Sequence, residues 1–235
     1  MGPVKLLRRP HQGIDSFFET DMNKFNAATC SVFLLVALPV QLSAQDALRD
    51  LDVLLESIIT LRADVSQLIV ESDGGILEES TIQMRLLKPD GFYWETVSPF
   101  PELIVTNGKL LWNYQPDLEQ VVIEDWDTSR SELAAQLLNG ETRNLADEYS
   151  ISKSTEASGE HAEFSLEPKA SDSEYSEITI SFINNELDAI FLNNKNGQKT
   201  AWQFSNVQRN EPIQPELFEF VPPEGVEVIE NRYVN

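Results

Sequence analysis

Two hydrophobic periods alternate along the chain from Asp46 onward. Between Asp46 and Thr60, Leu48, Leu51, Leu54, Leu55 and Ile58 recur at three- and four-residue spacing, with Arg49 and several acids opposite. That spacing predicts an amphipathic helix. Arg62 to Glu71 then reads as a strand, Asp73-Gly74-Gly75 as a turn, and Ile76 to Lys88 as a second, longer strand. In this second strand Ile82, Met84 and Leu86 alternate with Thr81, Gln83 and Arg85. Successive strand side chains point to opposite faces, so the even positions are predicted to face inward, and Lys88 shares their phase.

Lys88 to Trp126 reads as four short aromatic-rich strands parted by Pro-Asp-Gly, Pro-Phe-Pro, Asn-Gly and Gln-Pro-Asp turns. Asn107-Gly108 predicts a type I′ hairpin, because both residue types tolerate positive φ. Phe92 and Trp94 share one phase, and Leu110, Trp112 and Tyr114 line one side of the strand after Gly108. Thr128 to Asn139 breaks the rhythm. Thr128 or Ser129 can cap a helix there, Leu133, Leu137 and Leu138 form its apolar stripe, and Gly140 can end it. Asn144 to Asp147 can continue this helical island. Strands return at Tyr149–Lys153, Ala162–Glu167, Glu177–Ile183, Leu187–Asn193 and Gln198–Val207. The expected fold is mainly β, with some ten or eleven antiparallel strands and an apolar face that needs helices to cover it.

The N-terminus changes the picture. Met22-Asn23-Lys24, the apolar run Ala27 to Val40, and Leu42-Ser43-Ala44 have the form of a signal peptide cut before Gln45. The run is short for a retained membrane span. Residues 1–21 read as a long n-region, or Met22 is the true start. Arg8-Arg9 lacks the apolar residues expected after a twin-arginine signal. Residues 45–235 are expected to form a single domain. The only cysteine, Cys30, opens the apolar run and does not follow the cut, so the mature chain is expected to carry no thiol and no lipid anchor.

The chain has net charge −22. Residues 1–44 carry Lys5, Arg8, Arg9 and Lys24 against Asp15, Glu19 and Asp21, so cleavage leaves −23. Such a surface repels nucleic acid and anionic headgroups, and nucleic-acid binding is excluded. Beyond the signal, His161 is the sole histidine, without clustered partners for a zinc or catalytic site. No nucleophile elbow, P-loop or dinucleotide fingerprint occurs. Acidic pairs such as Glu78-Glu79 and Glu124-Asp125 lack calcium-loop spacing. The expectation is no catalytic residue, no metal and no cofactor.

Two features keep both a structural and a functional reading. Trp94, Trp112, Trp126 and Trp202 lie on predicted strands, where they can be plain core or can line a cavity. Lys88 either snorkels past its strand end into water or needs a partner, since an unpaired buried charge is costly.

The string F-x-W-x-x-x-x-P-x-P-x-L-I-V-x-x-G-K-x-L-W-x-Y-x-P-x-L-E-Q, Phe92 to Gln120, resembles the LolA family of periplasmic outer-membrane lipoprotein carriers. Phe218-x-Phe220-x-Pro222-Pro223-x-Gly225-Val226 matches the same family. The resemblance runs from Asp46 to the C-terminus. It implies an open, incomplete antiparallel β-barrel whose concave apolar face is lidded by short α-helices. It further implies a monomeric periplasmic carrier of acylated lipoproteins, loaded by an inner-membrane ABC lipoprotein-releasing transporter and unloaded by the outer-membrane receptor LolB. Lys88 stands where the family commonly has an arginine that latches the lid to backbone carbonyls; lysine offers donors without the planar fork. The implied acyl-chain cavity comprises Ile82, Met84, Leu86, Phe92, Trp94, Leu110, Trp112 and Tyr114, with Leu133, Leu137 and Leu138 as the lid's apolar face. A carrier of another lipid or glycolipid, and a periplasmic regulator that binds proteins, remain alternatives on this fold.

Overall fold

In the computed structural model the phase predicted for Ile82, Met84 and Leu86 is that of a sealed face: all three are 0% exposed. The structure describes residues 44–126, 145–155 and 159–232. Helix α1 (Ala44–Glu56) is followed by β1 (Thr60–Val70), β2 (Ile76–Leu87), β3 (Gly91–Ser98), β4 (Glu102–Asn107), β5 (Leu110–Gln115) and β6 (Gln120–Asp125). A short helix α2 (Leu145–Glu148) leads into β7 (Tyr149–Thr155), β8 (His161–Pro168), β9 (Tyr175–Ile183), β10 (Glu186–Asn194) and β11 (Lys199–Arg209). β12 (Glu227–Asn231) ends the described chain.

The described strands form one 12-stranded sheet in the order β12-β6-β5-β4-β3-β2-β1-β11-β10-β9-β8-β7. Its edges, β12 and β7, do not pair with each other, so the barrel is open. β1 is the seam. It pairs antiparallel with β2 on one side and with β11 on the other, joining the two halves of the chain.

The pairings carry one face across the whole sheet. Val65 faces Ile82 on β2 and Phe204 on β11, and the face continues through Ile190, Ile180 and Phe164. These side chains belong to one apolar cluster. α1 lies across that face, burying Ala47, Leu51, Leu55 and Ile58 in it. The amphipathic stripe read from the sequence is therefore the surface that covers the concave side.

Three expectations are corrected. The first is strand count: β12 is a further strand, and it runs parallel to β6, with Val228 beside Val121. The second concerns Leu110, Trp112 and Tyr114. Trp94 pairs with Ile104, whereas Trp112 pairs with Val105 and Tyr114 with Leu103, so this aromatic stripe lies on the opposite, convex face. The stripe misleads because β3 to β6 are apolar on both sides. The convex side holds its own cluster of Val105, Trp112 and Val121, packed with Phe220 and Val226 from the C-terminal segment. The hairpin at Asn107-Gly108 also differs from type I′. Only Gly108 has positive φ, +82°, and Asn107 Oδ1 accepts from the backbone N–H groups of Lys109 and Leu110. Thr106 consequently pairs with Leu111, two residues beyond a two-residue turn, which leaves the side-chain phase unchanged. The lid residues Leu133, Leu137 and Leu138 lie outside the described residues.

The C-terminal segment works as a strap over the convex face. Asn210 anchors its start: Oδ1 accepts from Ile59 N–H at 2.8 Å and Nδ2 donates to the Ser57 carbonyl at 2.8 Å. A 3-10 turn, Pro215–Phe218, then seats Phe218 against Gly91. A Cβ at residue 91 would stand 3.0 Å from both the Phe218 ring and the Leu87 carbonyl, so any side chain there would have to push the ring aside by a few tenths of an ångström. Phe220 follows, its ring 5.3 Å from Tyr114. Phe218 is fully buried, and Phe218→Ala is expected to cost about 3–5 kcal/mol in denaturant unfolding. A loss below about 1 kcal/mol would show that the strap packs only loosely.

Candidate functional site

The concave face is not uniformly sealed. Toward the tips of β1–β5 a cleft of about 460 Å³ opens, within the usual size range of small-ligand sites. Its apolar lining is Trp94, Phe100, Ile104, Leu118 and Trp202. Its polar lining includes Gln67, Glu78, Glu102, Gln115 and Asp117. The register explains this grouping, since Thr96 pairs with Glu102 and Gln67 with Trp202 on the inward phase. Phe100 sits at the β3–β4 turn between Pro99 and Pro101 and is 71% exposed, an apolar residue left at the mouth.

A hydrogen-bonded chain crosses three strands at the cleft floor. Trp202 Nε1–H donates to Gln67 Oε1 at 2.7 Å, and Gln67 Nε2–H donates to Glu78 Oε1 at 3.2 Å. Ser80 Oγ–H, buried, also donates to Glu78 Oε1. Below this bar the face becomes the packed core under α1.

Polar groups tie α1, and the turn that follows it, to the sheet. Lys88 Nζ donates to the Leu55 carbonyl at 2.6 Å, and Lys88 N–H donates to the Ile59 carbonyl at 2.9 Å. Leu55 lies in the last turn of α1, where cations are favoured, and its carbonyl also accepts from the Ile58 N–H at 3.1 Å. Burial holds the Lys88 ammonium below the ordinary lysine range, partly offset by the Glu56 carboxylate. The second tie joins Asp50 of α1 to Lys153 of β7 at 2.7 Å, with Lys153 Nζ also 5.4 Å from the Phe164 ring centre.

Trp94 is therefore the one residue among the eight expected cavity positions that lines the cleft. Ile82, Met84, Leu86 and Phe92 share its face, but α1 fills the space above them and Phe92 is 1% exposed, so they are core with α1 in place. Leu110, Trp112 and Tyr114 lie on the other face. Lys88 Nζ reaches the Leu55 carbonyl of α1, so the ammonium is partnered.

Three groups escaped the sequence reading: the Gln67–Glu78–Trp202 bar, the Asp50–Lys153 pair, and Asn210. The signal for the first two was present, because Glu78 shares the phase of Ile82 and Lys153 that of Ile151. A polar residue in an apolar phase was the criterion that singled out Lys88, and it applied to these as well. Asn210 carried no such mark.

An open sheet wrapped around an apolar trough, with a helix lying across it and a cleft at one end, defines a protein that binds apolar ligands. The family model described as outer membrane lipoprotein carrier protein LolA matches residues 56–221, and the chain belongs to that family. An outer-membrane lipoprotein carrier protein of Hahella chejuensis is 34% identical over 176 residues, covering 75% of this chain and 84% of that protein. One from Chromohalobacter salexigens is 33% identical over 195 residues, covering 83% and 92%. An uncharacterized conserved protein from Thermus thermophilus has the same fold, with TM-score 0.53 and 12% identity over 80% of this chain and 100% of that one.

Lys88 makes two measurable differences. Lys88→Leu removes a charged donor from a helix carbonyl, and binding of an environment-sensitive apolar dye to the empty protein is expected to rise about tenfold. Unchanged dye binding would mean that the tie does not restrain α1. The second difference is in pH dependence. With the folded pKa below the unfolded 10.5, the folded state binds fewer protons between those values, so stability rises with pH across that window. The stability of wild type relative to Lys88→Met is expected to climb as pH approaches 10.5; a flat difference would contradict burial of the ammonium.

Proposed function

We propose that this protein is a periplasmic carrier that takes up the acyl chains of lipoproteins released from the inner membrane and delivers them to an outer-membrane receptor. The observation that supports this reading best is the apolar trough itself, continuous beneath a helix tied to the sheet at Lys88 and Lys153 and open at one end. Each methylene moved out of water is worth about 0.8 kcal/mol, so a long acyl chain does not cross an aqueous gap alone. A carrier must offer it an apolar surface and still release it. An aromatic and aliphatic lining binds without strict geometry, which suits cargo of varied sequence.

On this reading the donor is an inner-membrane ABC lipoprotein-releasing transporter and the acceptor is the receptor LolB. Closure of α1 keeps the empty carrier soluble, and its displacement exposes Leu86, Phe92 and their neighbours to cargo. The protein acts by binding, without a chemical step on the cargo and without a cofactor.

Release of a triacylated lipoprotein from spheroplasts into solution tests this. The wild-type protein is expected to support release. Ile104→Glu places a charge in the open cleft, where water can still reach it, so the unfolding midpoint should fall by only a few degrees. Release should drop about tenfold or more. Failure of the wild type to release lipoprotein would defeat the carrier reading, and normal release by a folded Ile104→Glu would place cargo elsewhere.

A further inference from the structure

The inward face changes character along its strands. Under α1 it is apolar: Val65 on β1 stands beside Ile82 on β2, and Met84 beside Trp94 on β3. Two residues further toward the tips, the same phase sets Gln67 opposite Ser80 and Thr96 opposite Glu102. An amphiphile fits such a face in one direction, with its alkyl chains toward α1 and its head in the cleft.

Two glutamines in the cleft have their amides held in a fixed sense. Gln67 Oε1 accepts from the Trp202 indole, which can only donate, so Gln67 Nε2 is turned to Glu78. Gln115 Nε2 donates to Glu102 Oε1 at 3.3 Å, and an ionised carboxylate only accepts, so this amide is oriented too. Each Nε2 carries a second hydrogen that no described residue takes. Both side chains line the cleft, so these hydrogens are donors for a ligand. The cleft also holds the carboxylates of Glu78, Glu102 and Asp117, and among the described residues lining it there is no lysine, arginine or histidine.

Neutral donors beside uncompensated carboxylates suit a head that has carbonyl groups and no negative charge. Ester and amide carbonyls can accept from the glutamine amides, whereas a phosphate would meet three carboxylates and no cation. We propose that the cleft seats the neutral, carbonyl-bearing head of an acylated amphiphile and disfavours a phosphate-bearing head on the same chains. The proposal rests on the carrier reading and deepens it, since a triacylated N-terminal cysteine presents two esters and an amide without charge. A diacyl phospholipid presents its two esters beside an anionic phosphate, so the cleft separates lipoprotein from the bilayer around it.

Three ligands with the same chain length isolate the head: dioctanoylglycerol, the corresponding dioctyl ether, and dioctanoyl phosphatidate. Each is titrated into the full protein below its aggregation concentration. Tryptophan fluorescence, to which Trp94 and Trp202 of the cleft contribute, is the readout. The ester is expected to bind about three- to tenfold tighter than the ether. Phosphatidate is expected to bind about tenfold more weakly than the diacylglycerol at low salt, with the gap narrowing at high salt. Gln115→Leu should close most of the gap between ester and ether, and Gln67→Leu provides a second variant if the first does not fold. Glu102→Gln combined with Asp117→Asn should close most of the phosphate gap. Ester and ether bound alike would overturn the proposal, as would phosphatidate bound as tightly as the diacylglycerol. Gaps unmoved in every folded variant would do the same.

A short-chain triacylated lipopeptide of neutral sequence separates the sources and the two readings. Binding at least as tight as that of the diacylglycerol supports lipoprotein as the source of the head. Diacylglycerol bound without the lipopeptide supports the head chemistry with a glycerolipid as its source, and defeats the carrier reading. Lipopeptide and phosphatidate bound equally well would overturn the proposal and leave the carrier reading intact.

Discussion

A curved sheet that stays open at both edges exposes its apolar inner face unless something lies across it, and here that something is α1. Three large side chains of the helix, Leu51, Leu55 and Ile58, are fully buried in the trough. At roughly 1.5–3 kcal/mol each, they contribute about 5–9 kcal/mol of apolar contact. That contact has little directionality. Another apolar body of similar area can replace it, and about ten methylenes at 0.8 kcal/mol apiece come to the same sum. The polar ties at Lys88 and Lys153 are smaller and directional, so they determine where the helix rests more than how strongly it is held.

Exchange of one apolar cover for another requires that the sheet survive the exchange. The C-terminal strap supplies that independence. Phe218 against Gly91, Phe220 on Tyr114, and β12 alongside β6 fix the convex side of β3 to β6. Those contacts hold β3 to β6 from the side that α1 does not touch. Asn210 links the two systems, since it binds the backbone where α1 gives way to β1 and also begins the strap.

Much of this was legible in the sequence where one rule acted alone. The period-two pattern of β2 gave its inward face because its outward positions are polar, and the helical period of α1 gave its stripe for the same reason. The reading failed where both faces are apolar. Leu110, Trp112 and Tyr114 form as clean a stripe as Phe92 and Trp94, and a single strand cannot say which side of the sheet its stripe joins. Only the pairing to β4 settles that, and pairing is not local. β12 was invisible for a related reason: Glu227 to Asn231 has little apolar pattern, and its strand character comes from the β6 edge beside it. The cleft was only partly legible, because its lining comes from β1 to β5 and β11 and from two turns, brought together by register.

The seam at β1 carries a consequence for how the molecule is made. β1 takes β11 as its partner, and the Thr60 hydroxyl donates to the Glu211 carbonyl across 151 residues of chain. The two halves of the sheet can each zip through local hairpins, but the trough between them does not exist until its first and eleventh strands meet. Loops that long close slowly. A chain emerging N-terminus first thus stays without its finished interior until almost its whole length is out.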